Sequence, residues 1–372
     1  MEFIPFELER WQSTWENRVR YNLSESGVHP LSITELLALA GGDLEELAAL
    51  RMVYNQSDGT EELRAAIARL YPGATPDHVT VTVGSAEANF ITCWSLIEPG
   101  DNVAILTPLY MQTHGLVQNF GATVSEFPLR WEKGWEPDVR DIERAIAPGT
   151  KLVVVTNPNN PTGHVLSQDA RDAILDRVRA TGAWILADEV YQGAELDRVM
   201  TPSFWGGTDR VLVVNGLSKA YGLPGLRIGW VVGPKEFKQA VVKRHDYTVI
   251  GPSPASDYLA VRALAVREKI LNRTRGILNT NYRMLDDWLQ GFGTLFDWHK
   301  PDCGAICFAR YRHSMSALEL VERVRADRSI LLVPGDHFNF PHYLRLGYGN
   351  EQGELEAALA ELREELSQVL MD

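Results

Sequence analysis

The chain has 372 residues, of which 45% are hydrophobic, and it carries a formal net charge of −13. This length predicts one large core with a smaller lobe, arranged as one or two domains. The acidic balance argues against a surface for nucleic acid or anionic membranes, because both need clustered Lys and Arg. An anionic ligand therefore has to be held by a few local groups.

The N-terminal segment and the cysteines restrict the cellular setting. The first residues, MEFIPFELERWQSTWENRVRY, carry acids where a secretory signal carries basic residues and then an apolar core. The apolar runs are far shorter than the roughly 20 residues of a membrane helix. Cys93, Cys303 and Cys307 contain no C-x-x-C pair, so free thiols are expected, without a disulfide or a metal site. We expect a cytoplasmic protein.

From about residue 60 to residue 235, helix-like segments alternate with short apolar runs. Continuous apolar runs are typical of strands buried on both faces, and helices between them indicate parallel crossovers. The predicted strands are HVTVTV, NVAILT, KLVVVT, AWILAD, RVLVVN and RIGWVVG. After residue 252 the mixture of helices and short strands predicts a smaller α+β domain, joined by the N-terminal segment.

Polar and glycine residues follow five of the predicted strands directly. In open α/β sheets, ligands bind beyond the carboxyl ends of the strands. The five segments are GSAE, PLY, NPNNPTG, DEVY and GLSK. We therefore expect the five strand ends to form one site.

Lys219 follows one of these strands. A surface lysine is the ordinary alternative, but a lysine at a strand end can form a Schiff base with an aldehyde cofactor. That chemistry requires neighbours that lower its pKa from about 10.4. The VGSAEAN turn can bind a phosphate through the backbone N–H groups of Gly84, Ser85 and Ala86 at a helix N-terminus. Such a turn alone is a weak signal.

Other polar side chains near the strand ends suit the remaining parts of such a cofactor. Arg227 and the Ser218 hydroxyl follow a glycine-rich turn and offer two further contacts to the same anion. Asp188 is a carboxylate whose burial is costly without a cationic partner, and a protonated pyridine nitrogen is such a partner. Hydrogen-bonding or stacking groups are supplied by Asn160, Tyr191 and Tyr110.

With these segments in view, the chain resembles the class I/II aminotransferases, the aspartate-aminotransferase branch of the fold-type I pyridoxal-phosphate enzymes. Seven motifs of that family occur here in order. They are Y-x4-G-x3-LR at 54–64, G-S-x-E at 84–87, P-x-Y at 108–110, NPNNPTG at 157–163, D-E-x-Y at 188–191, SK-x7-R at 218–227 and R-x-G-x-G at 345–349. Each motif is weak alone, but seven in order are specific.

The resemblance implies an α/β fold, with a large α/β/α domain that contains a mostly parallel seven-stranded sheet and a smaller α+β domain. The large domain is expected at residues 32–260, and residues 1–31 with 261–372 are expected to form the small one. The family also implies a homodimer in which Tyr54 reaches the phosphate of the neighbouring subunit.

The resemblance also implies roles for individual residues. Lys219, Asp188 and Tyr191 would be catalytic, with Lys219 bound to pyridoxal 5'-phosphate and Asp188 at its pyridine nitrogen. The implied cofactor-binding residues are Ser85, Ala86, Glu87, Tyr110, Asn160, Asp188, Tyr191, Ser218, Lys219, Arg227 and Tyr54. The implied substrate-binding residues are Arg345, Gly27, Asn160 and His29. Gly216 departs from the family pattern, which has Ser or Thr there as a phosphate ligand.

The expected reaction is amino transfer from an L-amino acid to a 2-oxo acid by a ping-pong cycle. Three segments, SESGVHP, GLSKAYGLPGLRIGW and RHDYTVIGPSP, are also similar to capreomycidine synthase, a family member that eliminates and cyclises. Elimination or cyclisation on an arginine-derived amino acid is therefore an alternative. A non-catalytic sensor of cofactor or amino acid is a further alternative, which the joint presence of Lys219, Asp188 and Arg345 disfavours.

Overall fold

A computed structural model describes residues 3–197 and 199–370. The helices are α1 Glu7–Trp15, α2 Ile33–Ala40, α3 Leu44–Ala48, α4 Glu61–Ala68, α5 Ser85–Leu96, α6 Gln112–Asn119, α7 Val139–Ala145, α8 Gln168–Thr181, α9 Lys235–His245, α10 Pro254–Ala265, α11 Arg267–Gln290, α12 Ala317–Arg328 and α13 Gln352–Leu370. The strands are β1 Tyr21–Asn22, β2 Val79–Thr82, β3 Asn102–Thr107, β4 Thr123–Arg130, β5 Glu136–Pro137, β6 Thr150–Thr156, β7 Trp184–Asp188, β8 Val211–Gly216, β9 Gly229–Val232, β10 Phe296–Asp297, β11 Ile306–Tyr311, β12 Ile330–Leu331, β13 Val333–Pro334 and β14 Tyr343–Gly347.

The large sheet has the strand order β2-β9-β8-β7-β6-β3-β4-β5. Strands β8, β7, β6, β3 and β4 pair in parallel, whereas β9 is antiparallel to both of its neighbours. The central strands are buried along nearly their whole length, as their continuous apolar sequences predict. The predicted mostly parallel fold is confirmed. The predicted strand number of seven is corrected to eight, because the two-residue β5 extends the edge.

Strand β4 was not among the six apolar runs recognised in the sequence. It lies near the edge, where Phe127 and Leu129 are buried while Glu126 and Arg130 are exposed. A strand that buries one face alternates apolar and polar residues, so it lacks the continuous run that marks a central strand.

The C-terminal part contains a second, antiparallel sheet in the order β10-β11-β14-β13. The N-terminal segment joins this part, because β1 pairs in parallel with β12. The predicted boundary at residue 260 falls inside the continuous helix α10, which packs on α2 and α4. We propose that the boundary lies instead at Val266, where α10 and α11 meet.

Among the described residues, no helix is both long enough and apolar enough to cross a membrane. The cytoplasmic location stays a prediction. Cys93, Cys303 and Cys307 are buried free thiols.

Candidate active site

A cavity of about 470 Å³ lies at the carboxyl ends of the central strands. All five predicted strand ends contribute to it. The loop after β1, which carries the predicted Gly27, and α1, which the sequence did not predict as part of the site, form another wall. The described lining residues are Phe6, Glu9, Gln12, Glu16, Glu25, Ser26, Ser85, Ala86, Asn89, Tyr110, Gln112, Thr156, Asn160, Asp188, Val190, Tyr191, Ser218, Lys219, Pro224, Arg227 and Arg345.

One end of the cavity is a cationic turn at the N-terminus of α5. Gly84 has a φ of 81°, and a Cβ there would lie 2.4 Å from an Arg227 guanidinium nitrogen. The arginine therefore covers the turn closely, and a side chain at Gly84 would displace it. Ser85 and Ala86 begin α5, where free N–H groups and the helix dipole favour an anion.

Gly216 is explained by its position in the sheet. It pairs with Gly229 on the neighbouring strand β9. A Cβ at Gly216 would lie 3.0 Å from the carbonyl oxygen of Ile228, which is closer than normal packing allows. The β8–β9 pairing here therefore leaves little room for the Ser or Thr of the family pattern, while Ser218 and Arg227 both line the cavity.

Asp188 ends β7 at the floor of the cavity, and its side chain is buried. It accepts a hydrogen bond of 3.0 Å from the Asn89 side chain and one of 3.3 Å from the Val190 backbone. Burial raises the pKa of Asp188 to about 6, because a carboxylate loses hydration there. A cationic ligand at this position would lower that pKa again and stabilise the carboxylate.

Asn160, Tyr191 and Arg345 form a continuous hydrogen-bonded chain. The Asn160 amide donates to the Tyr191 hydroxyl at 3.0 Å, and Tyr191 donates to the Ser26 hydroxyl at 2.9 Å. Arg345 donates to the Asn160 carbonyl at 3.0 Å and to the backbone oxygen of Ser24. The predicted ring-binding and carboxylate-binding groups are therefore held in one network.

Arg345 projects from β14 and is 1% exposed. Its Nε has no hydrogen-bond partner among the described residues. A buried guanidinium with an unused donor is costly, and a planar carboxylate is a ligand that suits it. The site can therefore take a carboxylate at this end.

Lys219 Nζ lies 2.7 Å from the Glu25 carboxylate, which stands in the loop after β1. Lys219 lowers the pKa of Glu25 to about 2. Burial lowers the pKa of Lys219, but the charges of Glu25 and Tyr191 outweigh burial and leave it above its ordinary value. The expectation that neighbours lower the lysine pKa is therefore wrong for the protein without cofactor.

We expect Glu25→Gln to speed the capture of pyridoxal phosphate by the apoprotein several-fold near pH 8. The substitution removes the carboxylate that holds the ammonium form, so the pKa of Lys219 falls and more free amine is present. Absorbance-monitored reconstitution between about pH 7 and pH 10 measures the effect. The matched control is Glu7→Gln, at an exposed position on α1. A rate profile that stays in place or moves to higher pH contradicts the assignment.

The glycines of the R-x-G-x-G motif make room for the loop that carries Glu25. A Cβ at Gly347 would lie 2.3 Å from the Glu25 backbone oxygen, and one at Gly349 would lie 2.0 Å from that of Gly27. Gly27 itself packs on the lysine segment, since its Cβ would lie 3.2 Å from the Ser218 oxygen. The loop therefore packs directly on the segment that carries Lys219. The predicted contact of Gly27 with the substrate stays a prediction.

Four predicted residues lie outside the cavity lining, namely Gly27, His29, Tyr54 and Glu87. Glu87 turns away, accepts a hydrogen bond of 2.6 Å from the Val83 backbone and lies 3.4 Å from the His245 ring. It positions the phosphate turn from behind, so the prediction of direct cofactor contact is corrected. His29 contacts Arg273 of α11 at 2.9 Å, so its predicted contact with substrate is also corrected.

Tyr54 also lies outside the cavity lining, and it is 86% exposed. Its predicted reach into a neighbouring subunit stays a prediction.

Sequence reasoning missed Asn89 and two glutamates of α1 and its C-terminal cap, Glu9 and Glu16, which line the cavity. Asn89 stands four residues after Ser85, which places both on one face of α5 and gives a signal for its position. Glu9 and Glu16 gave no comparable signal, because α1 precedes the large sheet by more than 60 residues. Its position beside the cavity depends on long-range packing.

Comparison with known proteins agrees with this geometry. The family model "Aminotransferase class I and II" matches residues 38–362. The chain belongs to the class I and II aminotransferase family. It is 34% identical to capreomycidine synthase of Streptomyces vinaceus over 363 residues, which cover 96% of this chain and 93% of the relative.

Two solved structures resemble the whole chain. A pyridoxal-phosphate-dependent aminotransferase from Streptococcus suis superposes with a TM-score of 0.93, at 32% identity and 99% coverage of both chains. The pyridoxal-phosphate-dependent cyclase OrfR superposes with a TM-score of 0.91, at 30% identity, and covers 99% of this chain and 98% of its own. Relatives named for amino transfer and for cyclisation therefore share this fold.

Pyridoxal phosphate is the cofactor of this aminotransferase family, and the cavity fits it. The Gly84 turn beneath Arg227 suits the phosphate. Asp188, with its raised pKa, suits a protonated ring nitrogen. The buried Asn89 Oδ1 has no partner among the described residues, which leaves an acceptor available beside Asp188.

Proposed function

We propose that the protein transfers the α-amino group of an L-amino acid to a 2-oxo acid in a ping-pong cycle. The observation that carries this proposal is the convergence of Lys219, Asp188 and Arg345 on one cavity. Family membership supports a pyridoxal-phosphate-dependent enzyme with amino-acid and oxo-acid substrates.

Arg345 and its partners would orient the substrate. The guanidinium binds the α-carboxylate, while its bonds to Asn160 and to the Ser24 backbone hold it in place. Because the planar fork is fixed before the substrate arrives, little side-chain freedom is lost on binding.

Lys219 would hold the cofactor and then move the proton at Cα. When bound, pyridoxal phosphate supplies an electron sink for negative charge at that carbon. The Nζ atom, delivered from the end of β8, acts first as base and then as acid. Gly27 and Ser26 close over the lysine and limit water beside the reacting carbon.

The deciding experiment mixes the purified holoenzyme with a panel of L-amino acids and oxo acids. Cofactor absorbance follows the first half-reaction, and mass spectrometry identifies the product. Amino transfer predicts an oxo acid from the donor and regeneration by a second oxo acid. A cofactor band that no amino acid changes contradicts the proposal and favours a binding protein.

A second candidate is elimination or cyclisation of the amino acid. The 34% identity to a protein named capreomycidine synthase and the fold likeness to a protein named a cyclase favour it. The same mass spectra separate the two reactions, because a cyclase converts its substrate without a second oxo acid.

We further propose a homodimer in which Tyr54 completes the partner's phosphate site. The segment around it is apolar and exposed, with Met52 at 78%, Val53 at 55% and Tyr54 at 86% exposure. An exposed apolar run of this kind is typical of an interface.

Tyr54→Phe is expected to weaken pyridoxal phosphate binding roughly tenfold, because a hydrogen bond to a charged acceptor is lost. Equilibrium dialysis measures the affinity, and light scattering checks the dimer mass. Tyr247→Phe removes a hydroxyl from a similarly exposed tyrosine and serves as control. Equal affinities in all three proteins contradict the role of Tyr54.

A further inference from the structure

The helix α1 presents an acidic face to the cavity. Glu9, Gln12 and Glu16 are spaced three and four residues apart, which places them on one side of a helix and its C-terminal cap. All three line the cavity together with Phe6. The Tyr110 hydroxyl donates a hydrogen bond of 2.8 Å to Glu9 and fixes that carboxylate over the site.

Glu25 adds a third carboxylate to the same wall. Glu9, Glu16 and Glu25 line the same cavity. Burial and then the charges of Glu25 and Glu9 raise the pKa of Glu16, so Glu16 is near both of the other carboxylates. Such a cluster is costly in a cavity unless a cation is bound there during function.

Once ligands are bound, the protein cations that line the cavity no longer neutralise these three carboxylates. Among the described lining residues they are Lys219, Arg227 and Arg345. The phosphate occupies Arg227, and the substrate α-carboxylate occupies Arg345. Lys219 works as a neutral amine, so it no longer balances Glu25. Glu9, Glu16 and Glu25 are then left facing the substrate without a protein cation.

Two buried groups in this cavity indicate independently that it suits a ligand. Arg345 is 1% exposed and has a free Nε donor, and Asn89 is 2% exposed and has a free Oδ1 acceptor, counting partners among the described residues. Both line the same cavity as the acidic face. A molecule anchored by its α-carboxylate at Arg345 therefore shares one chamber with the three carboxylates.

We infer that Glu9 and Glu16 select an amino acid whose side chain ends in a cation, and that a guanidinium suits them best. A guanidinium presents five donors in a planar fork, so it can bridge two carboxylates, whereas an ammonium is a single point of charge. When Lys219 becomes a neutral base, its ion pair with Glu25 is lost, and Glu25 is free to bind the substrate cation instead. The inference rests on the proposed function, because it assumes an α-amino acid held at Arg345 and Lys219.

L-arginine and L-citrulline test the charge with almost no change of shape, because a ureido group replaces the guanidinium. The holoenzyme is expected to favour arginine over citrulline roughly 100-fold in kcat/KM, and also in the dissociation constant from cofactor absorbance. Glu9→Gln and Glu16→Gln are each expected to reduce that preference roughly tenfold and to raise KM more than they lower kcat. L-lysine is expected to fall between the two.

Glu7→Gln is the matched control, because it makes the same change on α1 at an exposed position outside the cavity lining. It is expected to keep the wild-type preference, and equal melting temperatures show that all variants fold. Equal use of arginine and citrulline by the wild type overturns the inference and leaves the proposed function intact. An arginine preference that survives both cavity substitutions also overturns it. If no amino acid on the panel alters the cofactor band, the proposed function itself has failed.

Discussion

Replacing Lys219 with alanine is expected to lower kcat by about 10³-fold or more, because the proton at Cα loses its acid and base. Cofactor is expected to remain bound through the Arg227 turn and Asp188, since these contacts do not involve the lysine. Steady-state kinetics give the first result. Borohydride reduction followed by mass spectrometry gives a second result that does not depend on activity. Only the wild type is expected to become covalently labelled with the cofactor.

Lys235→Ala is the control for this prediction. Lys235 pairs with Asp77 at the surface, where an exposed ion pair contributes little, so activity and labelling are expected to match the wild type. If the Lys219→Ala protein retains full labelling or turnover, another residue carries the chemistry.

Arg345→Lys is expected to lower kcat/KM about 100-fold, because an ammonium cannot bind the α-carboxylate through two parallel hydrogen bonds. The substitution keeps the charge next to Asn160, so the cofactor absorbance is expected to stay close to that of the wild type. Kinetics with the best amino acid from the panel measure the loss. Cofactor titration shows whether the substitution weakens only substrate recognition or also cofactor binding.

The control for Arg345 is Arg312→Lys, which makes the same change at a residue that is 60% exposed and pairs with Asp297. Its kinetics are expected to be unchanged. A loss of cofactor equal to the loss of kcat/KM in Arg345→Lys would show that this arginine supports the fold of the site and does not recognise the substrate carboxylate.

The cavity has two sides that differ in chemistry: a floor formed by strand ends, and an acidic wall formed by α1 and the loop after β1. The floor consists of strand ends that would hold the cofactor, and these come from the large sheet. The wall comes from residues 6–26, which are anchored by β1 on β12 in the other part of the molecule. Substitutions of Glu9 and Glu16 in the wall are therefore expected to change substrate choice, and those in the floor to change cofactor binding.

Several site residues were predictable because their spacing along the chain corresponds to a position in the fold. Asp188 and Lys219 follow buried strands, and parallel strands place their carboxyl ends at one edge. Asn160 meets Tyr191 for the same reason, since their segments follow the neighbouring strands β6 and β7. Local sequence was enough here, because the sheet itself supplies the long-range contact.

Other residues were misjudged because a side chain's direction depends on what surrounds it. His29 stands two residues from Gly27, yet its ring packs on Arg273 outside the cavity. Glu87 belongs to the phosphate-turn motif, yet its carboxylate is taken by the Val83 backbone and the His245 ring. Arg273 and His245 are far in sequence from His29 and Glu87, so spacing could not indicate these contacts.

By itself, the sequence determined the mostly parallel sheet and the groups at the strand ends, because apolar periodicity and strand-end chemistry are local properties. The cofactor followed from the resemblance of these motifs to a family. Only the tertiary structure decided that Glu25 faces Lys219 and that Glu9 and Glu16 face the same cavity. These contacts depend on how the N-terminal segment docks against β12 and over the large sheet. The choice of substrate rests on that docking, which no single stretch of the chain encodes.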